Sequence, residues 1–488
     1  MLDAGHVVRF SEEDTRLFSE ASGDRNPLHV SMEYASRTAY GERVVFGVLG
    51  AIACLSYWQP PIGERVSGIT LDFLRPMFLD VNYCVKSVLR EGEQTFSLYD
   101  GSIPVVSMVV QLARGKVGAE LCAGGPTFAV SEPMARPETS IGPGLTTSGV
   151  YACDPARLEK LLRKMHFGAD PFLAAVLCWA SYNVGMELPG QSGLFRRLVL
   201  TFEAPPRDVP LLQYEVSVLR KKPKLGQVVS ALTLRTGQRI VAQGKHEALI
   251  RPEILSAGGG NFGHAFTGDE MAGRVALIIG GSRGFGSALD RVLKAQGATA
   301  IQFSRSGGDT QYGNGDASDP AQLLRLRERI IGEHGHLDLL VCNAFPAIHS
   351  LWFEPNTFDR IQAYLSRATA LVAAPLCVFL ELLNEAGGRL VVISSSAVES
   401  PVREWPQYVA AKSAVEGYAR VAPLQYPRLA ALIVRPPKLL TDLTNTPLGR
   451  SGAKRPEEFA VQLAKRLQEP VRPGICDIYP TEPSKSHS

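Results

Sequence analysis

Residues 275–304 constrain the fold of this chain more than any other stretch. A continuous apolar run, Val275–Ile279, precedes a glycine-rich turn, a predicted helix over 287–296 and a second apolar run, Thr299–Ser304. Unbroken apolar runs are typical of strands buried on both faces of a parallel sheet. Glycines let the backbone approach a pyrophosphate at a helix N-terminus. The segment therefore predicts a doubly wound α/β domain that binds a dinucleotide. The turn is Gly280-Gly281-Ser282-Arg283-Gly284-Phe285-Gly286.

Further residues extend this pattern toward the C-terminus. Leu337–Val341 and Gly388–Ile393 are predicted as a fourth and a fifth buried strand. Tyr408 and Lys412 stand four positions apart and so share one helix face. An ammonium beside a phenol should lower its pKa. The glycine turn, Asn343-Ala344, Ser395 and Tyr408-x-x-x-Lys412 together resemble the short-chain dehydrogenase/reductase family, over residues 273 to about 450.

The resemblance implies a role for each matched residue. Tyr408 would protonate the carbonyl oxygen during hydride transfer, Lys412 would hold the cofactor ribose and tune Tyr408, and Ser395 would position the carbonyl. Arg283 and Arg305 stand where a 2′-phosphate would lie, and no acidic residue follows the second strand, which favours NADPH. The implied cofactor-binding residues are Gly280, Ser282, Arg283, Gly284, Gly286, Arg305, Asp316, Asn343 and Thr441.

Two departures from the family pattern leave the activity of this domain open. Phe345 follows Asn343-Ala344 where the family usually has Gly, so it could narrow the cofactor cleft. The family's fourth catalytic residue, an Asn, would fall near Arg367, and no Asn lies between Ala368 and Leu383. The domain is either an active ketoreductase or a cofactor-binding sensor or assembly surface.

An Asp and a His frame a short segment near the N-terminus, Gly23-Asp24-Arg25-Asn26-Pro27-Leu28-His29. A helix capped by Ser11 should end at Gly23, and the proline predicts a loop from Asp24 to His29. A carboxylate and an imidazole at the two ends of a loop can share one water molecule or one substrate hydroxyl. Adding or removing water needs that arrangement. The alternative is a helix-capping Asp and a surface His.

The wider pattern resembles the hydratase motif of the MaoC-like (R)-specific enoyl-thioester hydratases, which have the hot-dog fold. The resemblance implies that Asp24 and His29 are the catalytic pair. It also implies that the Gly47 amide, at a helix N-terminus, polarises the thioester carbonyl. Phe46 stands where the family often has His, and we expect it to alter packing only. The matching residues are Phe18, Ala21-Ser22-Gly23-Asp24, Asn26-Pro27-Leu28-His29, Ala35, Val45 and Gly47.

Residues 145–252 repeat the apolar pattern of residues 1–130 but lack the motif. Each half predicts an antiparallel sheet around one apolar helix. Asp154 and His166 are the comparable groups of the second half, and we expect structural roles for them. The predicted fold is an α+β double hot-dog followed by an α/β Rossmann domain. The predicted domains are a hot-dog unit at 1–130, a second at 145–252, a linker at 253–271 and a dehydrogenase/reductase domain at 272–488.

Composition narrows the choice of partners. A net charge of +3 over 488 residues gives no electrostatic case for nucleic acid. Eight cysteines without a CxxC pair indicate buried thiols in a reducing, cytoplasmic compartment and no metal site. The N-terminus does not resemble a signal peptide. We also expect no apolar stretch near the ~18 residues that a membrane span needs.

The leading prediction is a bifunctional enzyme of fatty-acid or polyketide-type metabolism. Its reductase would convert a 3-oxoacyl thioester to the 3-hydroxyacyl thioester with NADPH, and its dehydratase would then form the trans-2-enoyl thioester. The alternatives are a dehydratase/hydratase with an inactive NADP(H)-binding domain, and a non-catalytic acyl-thioester binding module. The sequence leaves open the carrier (CoA or acyl carrier protein), the chain length, the direction and whether the chain forms a homodimer.

Overall fold

The computed structural model describes residues 5–90, 92–115, 120–121, 125–203, 208–209, 211–255, 268–305, 312–470 and 472–479. The chain divides into two compact units. The N-terminal unit comprises residues 1–253 and 446–448, and the C-terminal unit comprises residues 254–445 and 449–488. The predicted linker, 253–271, begins at this boundary, but its centre at 256–267 lies outside the described residues.

The N-terminal unit contains twelve described strands and six α-helices. The strands are β1 His6–Arg9, β2 Glu64–Phe73, β3 Asn82–Arg90, β4 Glu93–Asp100, β5 Ile103–Arg114, β6 Glu120–Leu121, β7 Thr146–Tyr151, β8 Gly193–Phe202, β9 Asp208–Val209, β10 Leu212–Lys222, β11 Gln227–Thr236 and β12 Arg239–Ile250. The helices are α1 Glu12–Ser22, α2 Pro27–Val30, α3 Met32–Ser36, α4 Gly47–Cys54, α5 Pro155–Lys164 and α6 Pro171–Tyr182.

Ten of these strands form one antiparallel sheet in the order β1-β3-β4-β5-β2-β8-β12-β11-β10-β7. Read outward from its centre, the sheet has the same order on both sides, β2-β5-β4-β3-β1 and β8-β12-β11-β10-β7. The two halves meet where β2 pairs with β8, with Ile69 opposite Leu200 and Leu71 opposite Leu198. This pairing satisfies two strand edges that would otherwise be exposed.

One apolar helix belongs to each half of the sheet. Every residue of α4 after Gly47 is buried, and every residue of α6 after Pro171 is buried. A helix that is apolar on all sides has to lie inside a core. The sheet and the two helices share one hydrophobic core.

Helix α1 confirms the predicted start and end. Ser11 and Asp14 form a capping box, and Gly23 ends the helix with a left-handed φ of 72°. The predicted loop from Asp24 to His29 is wrong beyond Asn26, because Pro27 opens the single-turn helix α2. Proline suits the first helical position, where its fixed φ is helical and its missing N–H needs no partner. His29 therefore lies on a helical turn.

The C-terminal unit is a six-stranded parallel sheet with helices. Its order is β14-β13-β15-β16-β17-β18. The strands are β13 Val275–Ile279, β14 Thr299–Phe303, β15 Leu339–Cys342, β16 Arg389–Ile393, β17 Ala430–Val434 and β18 Cys476–Tyr479. The helices are α7 Gly284–Ala295, α8 Pro320–His334, α9 Phe358–Glu385, α10 Pro406–Gln425 and α11 Pro456–Gln468.

Two sequence expectations fail in this unit. Among the described residues no strand lies between Phe303 and Leu339, so β15 is the third strand of the unit and not the fourth. The described residues before α8, 312–319, are mostly polar or glycine and offer no apolar run for a strand.

The second expectation, that no apolar stretch is long enough to span a membrane, fails at α9. By length and composition, Pro355–Glu385 could cross a membrane, with a mean hydropathy of 1.6 over its best window. The core helix of a soluble protein meets the same criterion, and α9 packs against α8 and α10.

Candidate functional site

Asp24 is buried, and its carboxylate is held from two sides. The side chain is 2% exposed. Its Oδ1 accepts a hydrogen bond from the Asn26 amide at 3.0 Å, and its Oδ2 accepts one from the Ser181 hydroxyl at 2.7 Å. Burial raises the pKa of Asp24 to about 7, although both hydrogen bonds act in the opposite direction. A carboxyl with this pKa can give or take a proton near neutral pH.

His29 follows Asp24 by five positions and is held as a neutral ring. Its Nδ1 lies 2.8 Å from the carbonyl oxygen of Val44, which can only accept, so Nδ1 carries the proton and Nε2 is left as an acceptor. The ring stacks on Phe46, with a centroid distance of 4.0 Å. Burial and, to a smaller extent, the charge of Arg251 lower the pKa of His29 to about 4, although the hydrogen bond to Val44 acts in the opposite direction. Nε2 is therefore available as a base at neutral pH.

The half that lacks the motif packs directly against the motif segment. Helix α6 continues into a π-helical turn, Asn183–Glu187. A Cβ built on Gly185 would lie 2.4 Å from Oδ1 of Asp24, so a glycine is required at this close approach. The Asn26 side chain donates to the Gly185 carbonyl at 3.0 Å. The second half thus provides a hydrogen-bond acceptor for Asn26 and a close backbone contact for Asp24.

A buried carboxylate anchors this turn. Glu187 is 3% exposed and accepts hydrogen bonds from the Tyr214 hydroxyl of β10 and from the Asn183 amide, the latter at 3.1 Å. Turns of the π type often occur at functional sites. Glu187 fixes the turn whose Gly185 touches Asp24, so it acts on the site through that contact.

Arg251 follows β12 and brings a positive charge to the same place. Its guanidinium donates to the Gln191 carbonyl at 2.6 Å, and its Cζ lies 5.4 Å from the ring centroid of Tyr34. The same Gln191 carbonyl also accepts from the Asn26 side chain at 3.2 Å. Sequence reasoning missed Arg251 and Ser181 because both are far from the motif in sequence, and only a repeat alignment of the two halves could have pointed to them.

Gly47 lies at a helix N-terminus, as predicted, whereas Asp154 and His166 of the second half have structural contacts. Gly47 is the first residue of α4, and among the described residues no side chain caps this helix end. A Cβ on Gly47 would lie 2.6 Å from the Phe73 ring, which excludes larger residues. Asp154 instead caps α5 by accepting from the Arg157 amide at 3.0 Å. His166 stacks on a tyrosine ring at 4.6 Å, so it packs and does not form a second Asp/His pair.

In the C-terminal unit, the glycine turn leads from β13 into α7. Gly280 has a left-handed φ of 84°, and a Cβ on Gly286 would lie 2.2 Å from the Gly280 carbonyl oxygen. The Asn343 side chain donates to the same carbonyl at 2.8 Å. Ser282 lies in the turn, and the N-terminus of α7 has no side-chain cap among the described residues. A pyrophosphate fits this glycine cradle.

The remaining predicted cofactor residues surround the turn. Arg283 pairs with Asp442, with 3.7 Å between Nη1 and Oδ2. The Thr441 methyl lies 3.5 Å from a Cβ built on Gly284. The pKa of Asp316 is lowered mainly by the Ser318 amide and, to a smaller extent, by the charge of Arg305.

Tyr408 and Lys412 lie on α10 as predicted, but their protonation differs from the prediction. Burial raises the pKa of Tyr408, and a hydrogen bond with Ser395 only partly offsets this. Burial also lowers the pKa of Lys412 to about 7, so its charge is weakened. The Lys412 amine donates to the Ile393 carbonyl at 2.7 Å and lies 5.7 Å from the Tyr408 ring centroid. The expected lowering of the Tyr408 pKa by this ammonium is therefore wrong.

Phe345 covers Lys412. The Lys412 Nζ lies 3.6 Å from the centroid of the Phe345 ring, which also stands edge-to-face on Tyr408 at 5.6 Å. The ring occupies the space beside the amine that the family resemblance assigns to the cofactor ribose. The pyrophosphate end of the site thus fits a nicotinamide cofactor, while the ribose end is narrowed by one side chain.

Comparison with known families assigns one domain within each unit. The family of MaoC-like domains matches residues 3–107, and the short chain dehydrogenase family matches residues 274–447. The chain joins a MaoC-like domain to a short-chain dehydrogenase domain. The short-chain dehydrogenase domain has the Rossmann-like parallel sheet described above, and the family binds a nicotinamide cofactor.

Relatives of known name match part of the chain. An uncharacterised oxidoreductase of Mycobacterium tuberculosis is 26% identical over 44% of this chain and 87% of its own length. A tetrahydroxynaphthalene reductase of Pestalotiopsis fici is 29% identical over 31% of this chain and 59% of its own length. Among solved structures, an alcohol dehydrogenase from Thermococcus sibiricus, complexed with 5-hydroxy-NADP, is 21% identical with a TM-score of 0.38. That match covers 43% of this chain and 99% of the other.

The contact between Ser181 and Asp24 can be tested without turnover. Ser181→Ala removes a donor to the carboxylate, so we expect the pKa of Asp24 to rise further above about 7. A hydrogen bond to a charged group is worth about 1.5–3 kcal/mol, which corresponds to roughly one to two pKa units. Carboxyl-carbon NMR of labelled aspartate measures the shift. Ser22→Ala is the matched control, because Ser22 bonds to the Asp24 backbone amide. Equal titration in both variants would contradict the assignment.

The position of Phe345 also predicts an effect on cofactor binding. Phe345→Gly should uncover Lys412 and tighten NADPH binding by about tenfold, since tenfold corresponds to only about 1.4 kcal/mol. Nicotinamide fluorescence measures the Kd. Phe353→Gly is the control, because Phe353 is 84% exposed. If Phe345→Gly leaves the Kd unchanged, the ring does not restrict the site.

Proposed function

We propose that the chain is a bifunctional 3-oxoacyl-thioester reductase and 3-hydroxyacyl-thioester dehydratase. The observation that supports it most is the pair of opposite pKa shifts in one motif, about 7 for Asp24 and about 4 for His29. Two titrating groups whose environments push their pKa values apart form an acid and a base. We further propose that the MaoC-like domain and residues 145–252 form a double hot-dog, which the repeated strand order supports.

The two groups divide the work of adding water. The neutral His29 takes a proton from water through Nε2 as the oxygen attacks C3 of the enoyl thioester. Protonated Asp24 delivers a proton to C2, and the Gly47 amide stabilises the negative charge on the thioester oxygen. Dehydration runs through the same steps in reverse, with Asp24 taking the C2 proton and His29 protonating the departing hydroxyl. Arg251 disfavours protonation of His29 and so helps to keep Nε2 unprotonated before the reaction.

The reductase step depends on a protonated phenol. A nicotinamide cofactor, when bound, supplies the hydride to the 3-oxo carbon. Burial raises the pKa of Tyr408, so the phenol stays protonated and can give its proton to the carbonyl oxygen. Ser395 forms hydrogen bonds with the Tyr408 hydroxyl and with that carbonyl oxygen. The reverse oxidation would need the phenolate, which burial disfavours. The site therefore favours reduction.

The relatives and the pathway belong to the same proposal. The relatives, an oxidoreductase and several hydroxynaphthalene reductases, support carbonyl reduction of a polyketide-type substrate. We place the acyl thioester on CoA or an acyl carrier protein and the chain in the cytoplasm. A second candidate is a dehydratase with a cofactor-binding domain that does not turn over. Phe345 over Lys412 and the absence of an Asn in residues 368–383 favour it.

The coupled reaction separates the two candidates. With a 3-oxoacyl thioester and NADPH, Asp24→Asn should accumulate the (3R)-hydroxyacyl thioester, because the MaoC-like motif is of the (R)-specific kind. Loss of a general acid–base group typically costs about 10²–10⁴-fold. Tyr408→Phe should stop NADPH oxidation and leave hydration of a trans-2-enoyl thioester unchanged. Chiral analysis of the product and NADPH absorbance measure these effects. Accumulation of pure (3S) alcohol would refute the coupling, and no NADPH oxidation with any 3-oxoacyl thioester would favour the second candidate.

Cofactor preference is proposed to follow from two arginines. NADPH should bind tighter than NADH, and the Arg283→Ala, Arg305→Ala double variant should lose that preference. A charge-assisted contact with phosphate contributes roughly 1.5–3 kcal/mol. Arg305→Ala should have the larger single effect, because Arg283 already pairs with Asp442. The Kd values of NADPH and NADH, measured by titration of each variant, test this. Equal affinity of the unmutated protein for the two nucleotides would contradict the proposal.

A further inference from the structure

A polar pair lies inside the apolar core of the N-terminal unit. Ser230 of β11 and His246 of β12 stand directly opposite each other, and their side chains are 0% and 2% exposed. Within the described part of the chain, neither nitrogen of His246 nor the hydroxyl of Ser230 has a hydrogen-bond partner. Buried polar groups in folded proteins are nearly always paired, and the described residues leave both of these side chains without a partner.

The protonation of His246 defines what that partner must offer. Burial lowers the pKa of His246 to about 4, so the ring is neutral. A neutral imidazole presents one donor and one acceptor, and the serine hydroxyl presents both. An oxygen that accepts from the imidazole N–H complements the pair, and a hydroxyl that also donates does so best. An alkyl group would leave all of these groups unpaired.

The surroundings of the pair are apolar. The same row across the sheet continues from Ser230 and His246 to Leu198 of β8 and Leu71 of β2, both fully buried. On the other side, Val218 of β10 stands opposite Ser230. The polar pair is therefore flanked by apolar side chains on both sides along this row of the sheet.

Aromatic contacts connect this point to the dehydratase site. The His246 ring stands edge-to-face on Phe195 at 6.1 Å, and Phe195 lies 4.9 Å from Phe73. The Phe73 ring in turn packs against Gly47, where the thioester carbonyl is proposed to bind. Phe195 is only partly buried. The rings of Phe73 and Phe195 thus form a continuous series of contacts from Gly47 to His246.

We propose that His246 and Ser230 recognise an acyl chain that carries a hydroxyl or keto oxygen beyond its reacting double bond. This inference rests on the proposed dehydratase function and names its substrate class. The oxygen accepts a hydrogen bond from His246, and a hydroxyl also donates to Ser230. Plain alkyl chains of the same length bind more weakly, because they bury the pair without satisfying it.

Two measurements with matched ligands test this. The first is kcat/KM for hydration of trans-2-octenoyl-CoA and of its 5-, 6- and 7-hydroxy derivatives. The second is calorimetric binding of the corresponding saturated acyl-CoAs, which cannot react. We expect the best hydroxylated chain to exceed the alkyl chain about tenfold or more in both measurements. In His246→Leu and Ser230→Ala that ratio should fall to about one, while Leu232→Val, a change on the same buried face of β11, should keep it.

The outcomes separate this inference from the function on which it rests. Ratios near one for every hydroxylated chain, with octenoyl-CoA hydrated normally, overturn the inference and leave the dehydratase standing. The pair would then hold an internal water only. If no enoyl-CoA is hydrated, the proposed function fails, and the calorimetric ratio alone decides the inference. If His246→Leu does not fold, Ser230→Ala and His246→Gln provide the comparison, and an unchanged ratio in both contradicts the proposal.

Discussion

The buried carboxylate of Asp24 is the constraint on which the N-terminal unit depends. A carboxylate out of water is costly unless hydrogen bonds satisfy it. Here one of those bonds comes from Ser181, and the Gly185 backbone closes over the same group. Both belong to the half without the hydratase motif. The second half therefore supplies contacts that the motif segment cannot supply to Asp24. This gives a physical reason for a repeat that has no Asp/His pair of its own.

Burial sets the protonation of both active sites, with opposite results for different groups. It raises the pKa of Asp24 and of Tyr408, and it lowers the pKa of His29 and of Lys412. Burial disfavours whichever form carries charge. Each site thus holds a proton donor and a base whose charged forms are both disfavoured by burial. The proposed dehydratase mechanism uses both groups. In the proposed reductase site the Lys412 amine lies under the ring of Phe345, so the same ring would affect both proton delivery and cofactor binding.

Periodicity predicted most elements, and local context produced the errors. The buried strand Val275–Ile279 and the alternating strand Gln227–Thr236 have the bounds read from the sequence. The predicted loop at His29 was wrong because proline has two effects on a helix. It disfavours helical backbone at the residue before it, but it is well suited to the first position of a helical turn, as at Pro27. The prediction of a lowered pKa for Tyr408 was wrong for a different reason. Helix spacing places Lys412 on the same face as Tyr408, but it does not determine that the Lys412 amine donates to the Ile393 carbonyl.

The sequence by itself determined the two families, the repeat and the identity of the motif residues, because these depend on local spacing and on apolar periodicity. Tertiary structure decided which distant groups join them. Ser181 reaches Asp24 across 157 residues, and Ser230 meets His246 only through strand register. A one-residue shift of either strand would turn its side chain to the other face of the sheet and separate the two residues. Contacts and burial of this kind arise only when the whole sheet has formed, so no local pattern could reveal them.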